Sequence, residues 1–171
     1  MKTHRIIGID PGYATVGWGI VDYAGSSFKT VDYGAIITPP DLPFEHRLEI
    51  IYRELDILLS KHTPEGMGIE KLFFGKNVTT GIDVAQARGV ILLCARAHGV
   101  NIKQYAPNEV KLAVVGYGNA EKAQVMQMTK MLLNLPQMPK PDDTADALAV
   151  AICHAHSAAS YQYQNKIDSR Q

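Results

Sequence analysis

The sequence predicts an α/β fold in which one five-stranded mixed sheet is flanked by helices. Three strand-like apolar runs follow one another with only turns between them, which is typical of an antiparallel meander. Two further strand-like runs then alternate with helical segments. The chain has 171 residues, of which 46% are hydrophobic and 20% are charged. This is enough apolar material for one core without disulfides or a structural metal.

The meander is predicted from its strand composition and its turns. Residues 5–10 form a short β-branched run closed by Asp10-Pro11-Gly12, and residues 16–21 and 28–38 also have strand composition. Residues 24–27 supply the turn between the second and third strands. Prolines at positions 39, 40 and 43 end the meander.

Helices and strands alternate after these prolines. Apolar residues recur at helical spacing between 48 and 59, and a fourth strand is predicted at 67–72, a second helix at 79–98 and a fifth strand at 100–105. A short helix at 109–114 follows, then a helix capped by Asn119 and a last helix from Asp142 to about His156. The latter half of the 79–98 helix is apolar on every side, so it needs cover on two faces.

The chain is predicted to contain one domain, residues 1–157, and a flexible polar tail, residues 158–171. No run reaches the roughly 18 apolar residues of a membrane helix, and the start of the chain lacks the apolar stretch of a signal peptide. Cys94 and Cys153 have neither CxxC nor metal-finger spacing, which indicates a reducing compartment. We expect a cytoplasmic protein that does not bind membranes.

Charge is unevenly distributed although the formal net charge is zero. Residues 71–140 carry nine Lys/Arg and three Asp/Glu, a net charge of +6, so the rest of the chain carries −6. Such a stretch is either an ordinary solvated surface or a face that binds a polyanion. Composition alone does not separate the two.

Four acidic residues stand in unusual places. Asp10 ends the first strand, Glu70 lies in or at the end of the fourth, and Asp143 and Asp146 share one face at the start of the last helix. An ionised carboxylate beside an apolar strand is costly unless it is paired or metal-bound. If the first and fourth strands are neighbours, Asp10 and Glu70 converge at the carboxyl edge of the sheet. The helix-borne pair could then face them from the flank.

Converging carboxylates repel one another, so this cluster would need cations. A donor set made only of oxygen favours Mg²⁺ or Mn²⁺ over Zn²⁺. Two such ions roughly 3.5–4 Å apart can clamp a scissile phosphate. The predicted chemistry is therefore phosphodiester hydrolysis.

Each acid also has an ordinary structural interpretation. Asp142 and Asp143 could cap the last helix, Asp10 could be an Asx-turn residue, and Glu70 could pair with Lys71 or Lys76. Asp146 is harder to explain in this way, because it interrupts an otherwise apolar helix.

Several short motifs occur in order over nearly the whole chain. They are Ile7-Gly8-Ile9-Asp10-Pro11-Gly12, Ile69-Glu70 with Phe73, Lys76-Asn77, Gln86-Ala87-Arg88-Gly89, Val114-Val115-Gly116-Tyr117-Gly118, Ala120-Glu121-Lys122 and Asp143-Thr144-Ala145-Asp146-Ala147-Leu148-Ala149. Together they resemble the RuvC family of Holliday junction resolvases. This collinear match is far more specific than a lone Asp-x-Gly.

The resemblance implies a ribonuclease H-like fold, a homodimer with two active sites, and Mg²⁺-dependent nicking of two strands of a four-way DNA junction in recombination and repair. It also implies cooperation with a branch-migration motor. The catalytic, metal-binding acids would be Asp10, Glu70, Asp143 and Asp146, with two ions per active site.

The resemblance also implies four DNA-binding residues. Lys111 and Lys122 match basic positions near the phosphate, Phe73 matches an aromatic that contacts junction bases, and Lys76 lies beside it. Two departures from the family pattern are modest: Thr144 replaces a small residue between the last two acids, and Phe74 adds a second aromatic.

Three other classes of protein share part of this pattern. A sugar-kinase or chaperone-type ATPase also begins with a strand and Asp-x-Gly, but that fold needs two lobes and a longer chain. A protein that only binds junctions would not need four acids. A ribonuclease H-like RNA-processing nuclease has the same site chemistry, and residue spacing does not distinguish its substrate from a junction.

Overall fold

The described chain folds around one mixed five-stranded sheet. The computed structural model describes residues 2–72 and 78–168, with side chains except at 78–79 and 158–168. The strands are β1 (His4–Asp10), β2 (Thr15–Ala24), β3 (Ser27–Ile37), β4 (Gly66–Glu70) and β5 (Asn101–Tyr105). Their order is β3-β2-β1-β4-β5, with β3, β2 and β1 antiparallel and β1, β4 and β5 parallel. The predicted mixed sheet is confirmed.

Five helices flank this sheet in the described ranges. They are α1 (Phe44–His62), α2 (Val78–Ala97), α3 (Pro107–Val115), α4 (Lys122–Leu132) and α5 (Asp142–Asp168). Helix α1 connects β3 to β4, and α2 connects β4 to β5. No helix of the described chain is long and apolar enough to cross a bilayer.

Several predicted boundaries were wrong. Strand β2 continues to Ala24, three residues beyond the predicted run. Helix α5 continues to Asp168 rather than ending near His156, and no Gly or Pro interrupts residues 142–168. Helix α4 is capped by Glu121 rather than Asn119, because the Gln124 side chain accepts a hydrogen bond from the Glu121 N–H at 2.9 Å. Strand β4 ends at Glu70, two residues early. The division into residues 1–157 and a flexible tail at 158–171 stays a prediction.

The two faces of the sheet hold two separate apolar clusters. Helix α5 crosses one face, with α3 and α4 packed beside it. Helices α1 and α2 cover the other face. Because successive side chains of a strand point to opposite faces, β1, β2, β3 and β5 contribute to both clusters, whereas the apolar side chains of β4, Met67 and Ile69, belong to the second cluster.

Glycines on the strands bring α5 close to the sheet. A methyl group on Gly8 would overlap the main chain of α5 at Ala147 and Ala151. A methyl group on Gly19 would overlap the side chain of Leu148. The helix main chain therefore lies directly against β1 at Gly8, the Leu148 side chain fills the space over Gly19, and the first turn of α5 is held close to the sheet edge.

Candidate active site

Asp10 and Glu70 are the last residues of two parallel, adjacent strands, β1 and β4. Each stands two positions after a glycine, Gly8 or Gly68, whose missing side chain makes room for α5. Residues two apart on a strand share a face, so both carboxylates lie on the α5 face at the carboxyl edge. The structure thus brings these two acids together, as the sequence predicted.

The first turn of α5 carries Asp143 and Asp146 to the same edge. A methyl group on Gly17 of β2 would overlap the carbonyl of Asp143, so this turn lies directly against the sheet. Thr144, fully buried, donates a hydrogen bond from its hydroxyl to the Gly34 carbonyl at 3.0 Å. Thr144, which departs from the family pattern, therefore hydrogen-bonds the acidic turn of α5 to β3.

Electrostatics shows that the four carboxylates act on one another. The pKa of Asp10 is raised to about 7 by burial first and then by Glu70, Asp146 and Asp143. Burial and Asp146 also raise the pKa of Glu70. Lys122 opposes both shifts. Burial and mutual repulsion therefore both disfavour the ionised forms of Asp10 and Glu70, and Lys122 compensates only part of this cost.

Lys122 is the cation in contact with this cluster. Its Nζ lies 2.8 Å from Asp146 Oδ2 and 3.9 Å from Asp142 Oδ2. The hydrogen bond to Asp146 raises the pKa of Lys122, so the ammonium stays charged. An open cavity of about 290 Å³ borders this pair, and its lining includes Glu70 and Lys111. The two lysines predicted from the sequence thus meet two of the acids in one cavity.

The alternative pairing for Glu70 does not occur with Lys71. That lysine lies 3.7 Å from Glu109 instead. Phe73 and Lys76, the two other predicted DNA-binding residues, and Phe74 beside them lie outside the described residues. Their roles stay predictions.

Arg88 supports the end of β4, a role that sequence analysis missed. Its Nε donates to the main-chain carbonyl of Glu70 at 3.3 Å. Burial lowers the pKa of this guanidinium, and its second terminal nitrogen has no hydrogen-bond partner among the described residues. The available signal was a charged residue inside the Gln86-Ala87-Arg88-Gly89 motif, directly before the apolar half of the helix.

The donor set fits hard divalent cations. All four candidate ligands are carboxylates, and the pKa values of Asp10 and Glu70 are raised by burial first and then by the neighbouring carboxylates, so ionising both is unfavourable without a cation. A divalent cation would offset that cost, and oxygen ligands suit Mg²⁺ and Mn²⁺. The fold is ribonuclease H-like, and its carboxylate edge is the arrangement of a metal-dependent nuclease.

Comparisons with known proteins agree with this class. The family model described as crossover junction endodeoxyribonuclease RuvC matches residues 6–154. A relative of that name from Alkaliphilus oremlandii is 55% identical over 152 residues, which cover 89% of this chain and 93% of the relative. A solved structure of RuvC from Thermus thermophilus in complex with Holliday junction substrate has a TM-score of 0.87 at 33% identity, covering 91% of this chain and 94% of that chain.

A more distant structure supports the fold alone. The yeast mitochondrial Holliday junction resolvase Ydc2 has a TM-score of 0.70 at 14% identity, covering 98% of this chain and 86% of that chain. The chain belongs to the RuvC family of crossover junction endodeoxyribonucleases, and it is an endonuclease. Nucleases of this family depend on metal ions.

Proposed function

We propose that this endonuclease nicks two strands of a four-way DNA junction, with two Mg²⁺ ions per active site held by four carboxylates: Asp10, Glu70, Asp143 and Asp146. The observation that carries the proposal is the convergence of these acids from β1, β4 and α5 at one edge of the sheet. Mn²⁺ has similar ligand preferences and should substitute.

Each group in the site has a distinct task. When bound, the two ions would activate water and stabilise the leaving oxygen of the scissile phosphate. The four carboxylates would fix the positions of those ions. Arg88 holds the end of β4 through the Glu70 carbonyl, and Thr144 holds the acidic turn of α5 through the Gly34 carbonyl. Both would keep ligands in place without touching the substrate.

Lys111 and Lys122 are suited to binding the DNA backbone. Both line the cavity that contains Glu70 and Asp146, so a phosphate entering this cavity would meet cations and metal ligands together. Lysine contacts of this kind add affinity without reading sequence. We propose that Lys76 contributes in the same way, and that Phe73 stacks on a junction base, worth about 1–3 kcal/mol per base.

A homodimer would place two such sites on one junction. Helix α2 carries an exposed stripe at helical spacing that includes Ile82, 50% exposed, and Leu93, 68% exposed, with exposed Gln86 and Gly89 between them. A methyl group on Gly89 would meet nothing within 4 Å, so a partner helix could approach closely there. We propose that a second copy of the chain covers this stripe, because two strands must be cut symmetrically.

The proposed cellular location and partner protein follow from the proposed DNA substrate. Four-way junctions arise in chromosomal DNA, so the cytoplasm of a bacterial cell is the proposed place of action. A branch-migration motor that moves the junction is the proposed partner.

The acids can be tested separately from DNA binding. Asp146→Asn should abolish nicking of a labelled four-way junction in Mg²⁺ while junction binding stays equal or tightens, because negative charge facing DNA is removed. Asp41→Asn, an exposed acid outside the site, is the matched control and should nick normally. Full activity in Asp146→Asn would refute the four-acid site. Linear duplex and structured RNA belong in the same assay, and faster cleavage of RNA would identify an RNA-processing nuclease instead.

The dimer has its own test. Leu93→Glu should convert a dimer into a monomer of 18.8 kDa in sedimentation at micromolar concentration. A chain that is already monomeric without the substitution would contradict the proposed interface.

A further inference from the structure

A second polar cluster lies between α1 and α2, on the face of the sheet opposite α5. It consists of Asp56 from α1, Cys94 from α2 and His98 just after α2. Each residue offers one ligand atom, and the three atoms lie within 4.8 Å of one another. His98 Nε2 and Asp56 Oδ1 are already 2.7 Å apart. None of these residues belongs to the acidic site described above.

The helices present the three groups toward a common point. His98 follows the last turn of α2 and donates its main-chain N–H to the Cys94 carbonyl at 3.2 Å, so the two side chains lie one helical turn apart on the same side. The same face meets α1, where the Cys94 thiol lies 3.9 Å from the Tyr52 carbonyl, one turn before Asp56. Cys94 is fully buried, whereas His98 is exposed. The cluster therefore has a buried sulfur at its floor and a rim that water can reach.

The donor chemistry differs from that of the acidic site. Sulfur, imidazole nitrogen and a carboxylate oxygen are ligands of Zn²⁺, whereas Mg²⁺ takes oxygen only. Zinc–ligand bonds of about 2.0–2.3 Å in tetrahedral geometry put neighbouring ligand atoms roughly 3–4 Å apart. The observed separations come within about 1 Å of this range, a difference that side-chain rotation can close.

We propose that Asp56, Cys94 and His98 bind one Zn²⁺ ion, with water in the fourth position. On binding, the Cys94 thiol releases its proton to solvent and the neutral imidazole of His98 donates the Nε2 lone pair. The ion would link α1 to α2 and so stabilise this face of the protein.

If the cluster binds no metal, it consists of a neutral buried thiol beside a hydrogen-bonded histidine and carboxylate. Burial and Asp56 raise the pKa of the Cys94 thiol to about 11, so the thiol is neutral at pH 7 without metal. In that case His98 and Asp56 form only a partly exposed hydrogen bond, which contributes little to stability.

Cobalt and zinc provide two independent measurements on the full chain. Excess Mg²⁺ is added first to occupy the acidic site. Co²⁺ should then produce a thiolate-to-metal charge-transfer band in the near ultraviolet, and Zn²⁺ should abolish it at one equivalent per chain. Cys94→Ser should lose the band. Cys153→Ser removes the other buried cysteine, which packs near Glu109, and should keep it.

If Cys94→Ser fails to fold, substitutions of the two ligands nearer the surface, His98 and Asp56, still test zinc binding. His98→Gln and Asp56→Asn should each weaken Zn²⁺ binding by more than about tenfold, measured by competition with a chromophoric chelator. His46→Gln, an exposed histidine outside the cluster, should bind as the unaltered chain does. The proposal is overturned if the unaltered chain binds no zinc at about 10 μM, or if both variants bind zinc normally.

Discussion

The two faces of the sheet are built in different ways and should tolerate different changes. Toward α5 the strands present glycines such as Gly8 and Gly17, where the helix leaves no room for a side chain. Toward α1 and α2 they present fully buried large residues such as Ile9 and Met67. Large side chains can repack when one of them changes, whereas a main-chain contact has nothing that can adjust. The face that holds the acids is thus the one with the least freedom to shift.

Adding a side chain to a strand glycine that contacts α5 should reduce stability more than any other change considered. Gly8→Ala should lower the free energy of unfolding by more than about 3 kcal/mol, the upper end of ordinary overpacking, because the methyl group overlaps the main chain of α5. Ile9→Val, one residue along and on the opposite face, should cost only about 0.5–1.5 kcal/mol. Denaturant unfolding measures both.

Equal losses in these two variants would remove the distinction between the faces. A stable Gly8→Ala variant would show that α5 can move away from the sheet without cost.

The second prediction concerns the electrostatic cost of the acidic edge. Asp10 ionises near pH 3.8 when unfolded but at about 7 when folded. Between these values the folded chain holds one more proton than the unfolded chain, so metal-free stability should fall as pH rises from about 4 to 7. Asp10→Asn lacks this loss and should be more stable by about 2–4 kcal/mol above pH 7, with little difference below pH 4.

Chemical unfolding in chelator, repeated at several pH values, tests this sign. Added Mg²⁺ should reverse the advantage of Asp10→Asn, since only the unaltered site binds the ion through an ionised Asp10. A variant that is less stable than the unaltered chain at pH 8 in chelator would contradict this electrostatic cost.

The third prediction, a smaller loss, concerns the hydrogen bond from the Thr144 hydroxyl of α5 to the Gly34 carbonyl of β3. Thr144→Val preserves shape but removes the hydroxyl donor to the carbonyl of half-buried Gly34, so it should cost about 0.5–1.5 kcal/mol and reduce nicking. Thr144→Ser keeps the hydroxyl and should nick faster than Thr144→Val. Equal nicking in the two variants would mean that the hydrogen bond does not position the acidic turn.

Much of the fold was predictable because its strands and helices depend on residues that are close together in the sequence. Short apolar runs and turn residues predicted all five strands, and the helical spacing of apolar residues between 48 and 59 predicted α1. The convergence of Asp10 and Glu70 followed from their places at strand ends. A stronger signal was also available: each acid stands two residues after a glycine, and this alternation puts it on the same face as the glycine contacts.

The rest depends on contacts between residues distant in the chain. The Lys122–Asp146 ion pair joins residues 24 apart, and the Thr144–Gly34 hydrogen bond joins residues 110 apart. No periodicity encodes such pairs. The same limit applies to the Asp56, Cys94 and His98 cluster, since its members gain a common environment only when α1 packs on α2.

Glycine contacts with α5 hold the acids in position, and Gly17→Ala removes one of these contacts at the acidic turn itself. The added methyl group would overlap the carbonyl of Asp143 and so displace a metal-binding turn. We predict that a folded Gly17→Ala chain, checked by circular dichroism, nicks a four-way junction at saturating Mg²⁺ more than about 100-fold more slowly, the loss that a displacement of about 1 Å can cause. Ile20→Val, on the other face, should nick at close to the unaltered rate. A folded Gly17→Ala chain that nicks within a few-fold of that rate would show that the Gly17 contact does not position the acidic turn of α5.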